Sequence, residues 1–232
     1  MQTHVEYGMS MTDRKTRTIY GRRQSRPLRD SQKVLWDELF PEIKIDLLNL
    51  PTPYPENVLF EIGFGGGENL VHQAITHSDY LCIGCEPFIN GVSSLLTKIK
   101  AENITNIRIF NDDAKILLEA LPDSSIRKAF ILFPDPWPKK RHHRRRFINL
   151  ENLLLIHQKM KKDGELTIAT DHPGYFEWIV EITKQPEFLQ NFTIKHTPDL
   201  PRPSEKEIPV TRYEKKALEN RPGAFFKFVQ IK

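Results

Sequence analysis

Three glycines, Gly63, Gly65 and Gly67, alternate directly after a short apolar run and open a segment with helical periodicity. Glycine allows a turn with positive φ and lets a ligand approach the main chain closely. The string E-x-G-x-G-x-G, which begins at Glu61, matches neither the phosphate-binding loop nor the dinucleotide fingerprint G-x-G-x-x-G. A carboxylate beside the loop would repel a pyrophosphate but attract a cation. The loop therefore predicts a site for a cationic ligand such as a sulfonium amino acid.

Acidic residues also end the next two predicted strands. Glu86 lies nineteen residues after Gly67, where a carboxylate can accept hydrogen bonds from both hydroxyls of a ribose. Asp113 can accept a hydrogen bond from an adenine amino group, and Asp112 is its less favoured neighbour. Capping of helix N-termini would explain each carboxylate singly. The combination with the glycine loop instead indicates S-adenosylmethionine as the cofactor.

A rigid segment surrounds Asp135 after the fourth predicted strand. Prolines at positions 134, 136 and 138 restrict the backbone on both sides and remove amide donors. Such rigidity suits a carboxylate that must be held beside a reacting methyl group. Trp137 offers a flat surface for stacking. The alternative, an ordinary turn with a buried tryptophan, is disfavoured because six cations follow almost at once.

Charge is unevenly distributed along the 232 residues, although the net charge is only +4. Residues 1–36 carry eight basic and three acidic side chains, and residues 139–146 carry six basic and no acidic ones, so the remainder sums to −7. Basic segments on an acidic body favour a polyanionic partner. Because residues 139–146 follow the Asp135 segment directly, we expect them to bind RNA beside the cofactor site. The predicted RNA-contacting residues are Lys140, Arg141, His142, Arg144, Arg145 and Arg146.

The composition excludes several classes of protein. A chain with 39% hydrophobic and 28% charged residues is typical of a folded domain rather than a disordered one. The sequence has no apolar run of the roughly 18 residues that a membrane span needs, and its start lacks the pattern of a secretory signal. Its two cysteines, Cys82 and Cys85, should face opposite sides of a strand, so we expect free thiols and no metal site. We therefore expect a soluble, cytoplasmic protein.

Short apolar runs alternate with amphipathic stretches and predict an α/β fold. The predicted strands are 58–62, 80–85, 107–110, 128–133, 165–169, 192–195 and 225–231, and the predicted helices are 67–77, 88–101, 114–120, 147–161 and 174–184. Helices between strands imply parallel crossovers and a doubly wound, mostly parallel sheet. The last strand follows a basic, proline-rich loop, so we expect it to be antiparallel. Ligands of such sheets bind beyond the carboxyl ends of the strands.

The chain resembles the bacterial tRNA (guanine-N7-)-methyltransferases over roughly residues 55–230. The matching strings are Glu61-Ile-Gly-Phe-Gly-Gly-Gly67, Gly84-Cys-Glu86, Asp112-Asp-Ala114, Phe133-Pro-Asp-Pro-Trp137, Arg141-His142, Arg144-Arg-Arg146, Ala169-Thr-Asp171 and Thr211-Arg-Tyr-Glu214. The resemblance implies a Rossmann-like fold that uses S-adenosylmethionine to form 7-methylguanosine in the variable loop of tRNA. Residues 1–30 are polar and basic with almost no apolar runs, which predicts a flexible arm, and residues 31–40 predict a short helix that Pro41 ends. We therefore divide the chain into a basic arm with a short helix (1–50) and a methyltransferase domain (51–232).

The same resemblance implies roles for individual residues. Glu61, Glu86, Asp113 and Asp135 match cofactor contacts, and Asp135 also matches the catalytic position. The implied substrate-binding residues are Lys139, Asp171, Thr211, Arg212, Tyr213 and Glu214. Without the resemblance, the segment 211–214 would be interpreted as a charged turn.

Two positions depart from the family pattern, but neither removes a charge. Cys85 stands where an aliphatic residue is expected, and Pro138 stands where histidine is common. The alternatives are another S-adenosylmethionine-dependent base methyltransferase, or an RNA-binding module on the same fold that binds no cofactor. The failed fingerprint disfavours a nicotinamide dehydrogenase. The sequence leaves the oligomeric state and the preferred tRNAs open.

Overall fold

The computed structural model describes residues 19–216 and 222–231. Strands and helices alternate along most of this length. The strands are β1 Val58–Ile62, β2 Leu81–Cys85, β3 Ile107–Phe110, β4 Ile126–Leu132, β5 Met160–Thr170, β6 Phe192–His196 and β7 Ala224–Gln230. The helices are α1 Asp30–Ile43, α2 Glu68–Thr76, α3 Ile89–Glu102, α4 Ala114–Ala120, α5 Leu150–Lys159, α6 Pro173–Thr183, α7 Pro186–Leu189 and α8 Arg212–Lys216, with a 3-10 helix at Lys140–Arg145.

The described strands form one sheet in the order β3-β2-β1-β4-β5-β7-β6. The pairs from β3 to β5 are parallel, whereas β7 is antiparallel to both of its neighbours. The predicted doubly wound, mostly parallel sheet with an antiparallel last strand is therefore confirmed. The insertion of β7 between β5 and β6 follows from long-range pairing, which periodicity does not reveal.

Hydrophobic side chains cover both faces of the sheet, because successive residues of a strand point to opposite sides. Phe60 and Cys85 belong to the cluster on one face, and Leu59 and Cys82 belong to the cluster on the other. The two thiols therefore face apart, as predicted, and both are free. These clusters pack helices against both faces of the sheet.

The helix α1 corrects the sequence prediction, since it continues through Pro41 to Ile43 instead of ending at the proline. Proline lacks an N–H and disfavours an uninterrupted helix, but here only two helical residues follow it. The side chains of Phe40 and Ile43 are each only 8% exposed and join the core cluster that contains α3 residues. Burial of this last turn offsets the lost hydrogen bond. The proposed division at residues 50 and 51 thus cuts between elements that share a core.

Residues 19–29 also differ from the predicted flexible arm, because they lie against the body of the protein. The amide of Ile89 donates to the carbonyl of Arg23 at 2.7 Å, and the side chain of Asn90 bonds to the backbones of Ser25 and Arg26. Residues 1–18 of the arm lie outside the described residues. Within the described ranges, no helix is both long and apolar enough to cross a membrane.

Candidate active site

A cavity of about 420 Å³ lies beyond the carboxyl ends of β1, β2, β3 and β4. The loops after these four strands supply most of its walls, and two distant segments complete it. The lining includes Gly63, Gly65, Glu86, Asp112, Asp113, Asp135, Trp137, Arg145, Tyr213 and residues 19–22. Five of the predicted cofactor residues therefore meet in one place: Gly63, Gly65, Glu86, Asp113 and Asp135.

The three glycines of the loop have positive φ angles, which residues that carry a Cβ rarely adopt. Gly63, Gly65 and Gly67 have φ angles of 71°, 53° and 80°. The amide of Gly65 consequently points to Glu86 and donates to its Oε2 at 2.8 Å. A Cβ on Gly91, in α3, would lie 2.5 Å from the Gly65 carbonyl oxygen. The start of α3 thus packs directly against the loop.

The carboxylate of Glu86 connects the glycine loop to the start of α3. Besides Gly65, it accepts a hydrogen bond from the amide of Phe88 at 2.9 Å, and the residue is only 8% exposed. Burial, with a smaller contribution from the charge of Asp135, raises the pKa of Glu86 to about 6 in spite of these two backbone hydrogen bonds. Glu86 is therefore mostly ionised at neutral pH, although burial destabilises its charge. A cationic or hydrogen-bond-donating ligand would stabilise that charge.

Glu61 and Gly67 are the two predicted cofactor residues that do not line the cavity. The carboxylate of Glu61 is buried beside the start of α2, where it accepts a hydrogen bond from Asn69 at 3.1 Å. Burial raises the pKa of Glu61 to about 8, and the nearby charges of Glu68 and Glu86 raise it as well. This carboxyl group is therefore mostly protonated at neutral pH. Through its hydrogen bond with Asn69 it attaches the end of β1 to the start of α2, on either side of the glycine loop.

The acidic residues after β3 have distinct partners. Asp113 caps α4, since its Oδ1 accepts from the amide of Lys115 at 3.0 Å, and it also faces the cavity. Asp112 lies 3.6 Å from a guanidinium nitrogen of Arg23. Arg23 also donates to the carbonyl of Asn111 at 2.9 Å. The arm segment is thus attached to the loop that carries the two aspartates.

Asp135 lies in a strained turn on the cavity wall. Phe133 and Trp137 flank it with φ angles of 52° and 45°, in the left-handed region that residues other than glycine seldom adopt. Strained backbone of this kind occurs often at functional sites. The carboxyl group opens to solvent through the cavity, yet the surrounding walls raise its pKa by burial. The turn therefore fixes one partly desolvated carboxylate at the cavity.

The basic run contains both exposed and internal cations. Lys140, Arg141 and Arg144 are exposed on the 3-10 helix. The guanidinium of Arg145 lies 4.8 Å from the ring centroid of Tyr20 and 4.9 Å from that of Trp137, so it joins the arm to the Asp135 turn. His142 contacts Trp137 edge to face.

Arg146 contradicts its assignment to RNA contact. The residue is only 3% exposed, and its guanidinium donates to the carbonyls of Pro136 and Gly174 at 2.9 and 3.2 Å. It also stacks over the rings of Tyr175 and Trp178. These contacts hold the Asp135 turn against α6, which a run of like charges in a sequence cannot indicate.

Of the six predicted substrate-binding residues, Tyr213 lines the cavity and the other five do not. Lys139 is exposed and Asp171 is half-buried after β5, and neither lines the cavity. Thr211 is buried and Arg212 is exposed. The Tyr213 ring faces Gly65, whereas the Glu214 carboxylate is paired with Arg202.

Sequence reasoning missed three residues of this region: Tyr20 and Arg22 in the cavity wall, and Arg202 beside it. Tyr20 and Arg22 belong to a segment interpreted as a free arm, and Arg202 lies in a proline-rich loop. Only long-range contacts bring them to the site, so no local signal could identify them.

Comparisons with known proteins agree on the family. Residues 55–226 match a family model described as "Putative methyltransferase". A tRNA (guanine-N(7)-)-methyltransferase from Zymomonas mobilis is 45% identical over 88% of this chain and 89% of its own length. A protein of the same name from Chelativorans sp. is 39% identical over 94% and 97%. The fold is similar to that of an rRNA methylase from Streptococcus thermophilus, with a TM-score of 0.53 and 15% identity over 90% of this chain and 98% of that one.

The buried carboxyl of Glu61 predicts a pH-dependent stability. Its pKa is about 8 when folded and near the ordinary 4.5 when unfolded, so the folded state holds an extra proton between these values. Stability conferred by that proton is present at low pH and is lost as the pH rises toward 8. We expect Glu61→Gln, which imitates the protonated group, to remove a decline of about 3 kcal/mol between pH 5.5 and 8.0. Urea unfolding at pH 5.5 and 8.0 measures this change in the free energy of unfolding.

The control is Glu119→Gln, a substitution of an exposed residue, which should leave the decline unchanged. A decline in Glu61→Gln equal to that of the wild type would contradict the assignment.

The contact between Gly91 and the glycine loop predicts the effect of adding one methyl group. Gly91→Ala should force α3 away from the Gly65 carbonyl and lower stability by about 1–3 kcal/mol. Gly174→Ala is the matched control, since its Cβ meets nothing closer than 3.4 Å. Thermal unfolding measures the loss, and equal melting temperatures of the two variants would show that the close contact is unimportant.

Proposed function

The chain belongs to the tRNA (guanine-N(7)-)-methyltransferase family, and we propose that it transfers a methyl group from S-adenosylmethionine to N7 of a guanine in the variable loop of tRNA. The observation that carries this proposal is the acidic cavity in which the glycine loop, bonded to Glu86, faces Asp135. The product is 7-methylguanosine.

The cavity fits the cofactor in size and charge. A volume of about 420 Å³ lies within the range of small-molecule sites. We assign to Glu86 the acceptance of hydrogen bonds from the ribose hydroxyls, and to Asp113 that from the adenine amino group; both residues line the cavity. Their negative charge, with that of Asp135, favours a positively charged ligand. When bound, S-adenosylmethionine supplies a methyl group on a positively charged sulfur.

Asp135 is the residue to which we assign the catalytic role. Guanine N7 carries an in-plane lone pair and no proton, so the reaction needs alignment rather than a strong base. During transfer, positive charge develops on the purine ring, and a preorganised carboxylate stabilises it. The strained turn around Asp135 limits movement of this carboxylate, so that little reorganisation is needed when the charge moves.

Recognition of guanine is assigned to Asp135 or Asp171. Either carboxylate can accept hydrogen bonds from the N1–H and the N2 amino group of guanine. Adenine presents an acceptor at N1 and lacks the amino group at C2, so it would leave the carboxylate unpaired. Asp171 follows β5, and β5 pairs with β4, the strand that precedes the Asp135 turn. The two carboxylates therefore follow the ends of neighbouring strands and can share this role.

The exposed cations Lys140, Arg141 and Arg144 are assigned to the RNA backbone. They follow the Asp135 turn directly and lie on a 3-10 helix at the rim of the site. Arg145 lines the cavity and Arg146 is buried. We therefore assign both residues to stabilising the Asp135 turn and not to binding phosphates. Contacts to phosphates predict affinity that falls as the salt concentration rises.

Identification of the methylated nucleoside tests the proposed function. The protein is incubated with methyl-labelled S-adenosylmethionine and unmodified tRNA transcript, and the RNA is digested to nucleosides. We expect the label in 7-methylguanosine. Label in 1-methylguanosine or methyladenosine would support a different base methyltransferase, and absence of both transfer and cofactor binding would support a non-catalytic RNA-binding module.

In the same assay, Asp135→Asn should lower turnover by about 100-fold or more while the protein remains folded, because an amide cannot stabilise the developing positive charge. The control is Asp163→Asn, an exposed residue whose φ of 61° asparagine tolerates. Near-normal turnover of a folded Asp135→Asn variant would remove the assigned role.

A further inference from the structure

Arg202 and Glu214 form a two-pronged ion pair outside the cavity lining. The Nε and Nη2 atoms of Arg202 donate to the two carboxylate oxygens of Glu214 at 2.5 and 2.8 Å. The two side chains are only 26% and 14% exposed. Bidentate pairs of this kind fix geometry as well as charge. Both oxygens of Glu214, which the family resemblance assigns to substrate, are therefore engaged by Arg202.

Arg202 is itself held in place by the rest of the protein. Its Nη1 donates to the carbonyls of Pro203 and Ile208 at 2.6 and 3.1 Å. Its guanidinium lies 5.2 Å from the ring centroid of Phe225, a buried residue of β7. Arg202 is thus fixed against the sheet, and Glu214 is fixed against Arg202.

The pair anchors the start of α8. The described part of this helix spans Arg212–Lys216, and a single helical turn needs tertiary contacts to keep one orientation. Thr211 caps its start, since its Oγ1 accepts from the amide of Glu214 and its carbonyl accepts from the amide of Lys215. The ion pair with Arg202 adds the tertiary contact that holds this turn in one orientation.

The anchored turn carries Tyr213 to the glycine loop. The ring of Tyr213 lies so close to Gly65 that a Cβ there would be 2.7 Å from Cε2 of the ring. Tyr213 also lines the cavity, near Glu86. An aromatic face at this place can contact a cationic ligand favourably.

We propose that Arg202 is a positioning residue: through Glu214 it fixes α8, so that Tyr213 closes the glycine-loop side of the cavity around the cofactor. Glu214 belongs to the same anchor and acts on the position of Tyr213 rather than on the RNA. The proposal rests on the proposed function for the identity of the ligand, S-adenosylmethionine.

A double-mutant cycle on the full chain tests the anchor, with the dissociation constant for S-adenosylmethionine measured by calorimetry. We expect Arg202→Gln and Glu214→Gln each to raise the dissociation constant about tenfold, and Tyr213→Ala to do the same. Because the two partners act as one unit, the double variant should bind within about twofold of the weaker single variant. The control Lys195→Gln, which breaks the pair between Lys195 and Glu165, should bind like the wild type.

Steady-state kinetics separate positioning from RNA contact. With tRNA saturating, the variants of the pair should raise the KM for S-adenosylmethionine while kcat falls less than about threefold, because the reacting groups are unchanged. Arg202→Lys, which keeps the charge but loses the two-pronged contact, should bind the cofactor with intermediate affinity. It also serves as the test variant if Arg202→Gln does not fold.

Three outcomes would overturn the proposal. The first is a folded Arg202→Gln or Arg202→Lys that binds the cofactor as the wild type does. The second is additive effects of the two substitutions. The third is a Glu214→Gln variant whose KM for tRNA alone rises. The proposed function fails separately, when the wild type binds S-adenosylmethionine but methylates another base.

Discussion

The hydrogen bond from the Gly65 amide to the Glu86 carboxylate is the contact on which the site depends. Parallel pairing of β1 with β2 brings the two strand ends together, and the Gly63 amide donates to the Cys85 carbonyl at 2.8 Å just beyond the last paired residues. Positive φ angles then turn the loop so that the Gly65 amide meets Glu86. The start of α3 packs against the loop and restricts its movement. The strand ends and the loop thereby form one side of the acidic cavity.

The same arrangement destabilises the charged form of several carboxyl groups, and a cationic ligand can compensate for this. Burial raises the pKa of Glu61, Glu86 and Asp135, so the site holds carboxyl groups that are poorly solvated in their charged form. Glu61 avoids the cost by keeping a proton, whereas Glu86 and Asp135 border the cavity. A cationic ligand there compensates them directly. This is the physical reason why a glycine loop with acidic strand ends favours a sulfonium compound over a dinucleotide.

Much of the fold follows from local patterns, whereas the finer parts of the site do not. Strand and helix periodicity, together with the rule for strand ends, predicts the sheet and the positions of Glu86, Asp113 and Asp135. Alternation along β1 also explains why Glu61 and Ile62 face opposite sides. The burial of Arg146 and the contact of Tyr20 with Arg145 depend on segments far apart in the sequence. Charge runs and proline-rich loops carry no information about such partners.

Calorimetric titration of S-adenosylmethionine at pH 7.5 and 5.5, into the wild type and Glu86→Gln, shows whether the contact between Gly65 and Glu86 forms the cofactor site. We expect the wild type to bind and its affinity to fall at the lower pH, since the carboxylate of Glu86 becomes protonated near pH 6 and then accepts hydrogen bonds poorly. Glu86→Gln should bind more weakly and lose most of this pH dependence. A wild type that does not bind, or a Glu86→Gln variant that binds as tightly as the wild type or keeps the full pH dependence, would contradict this expectation.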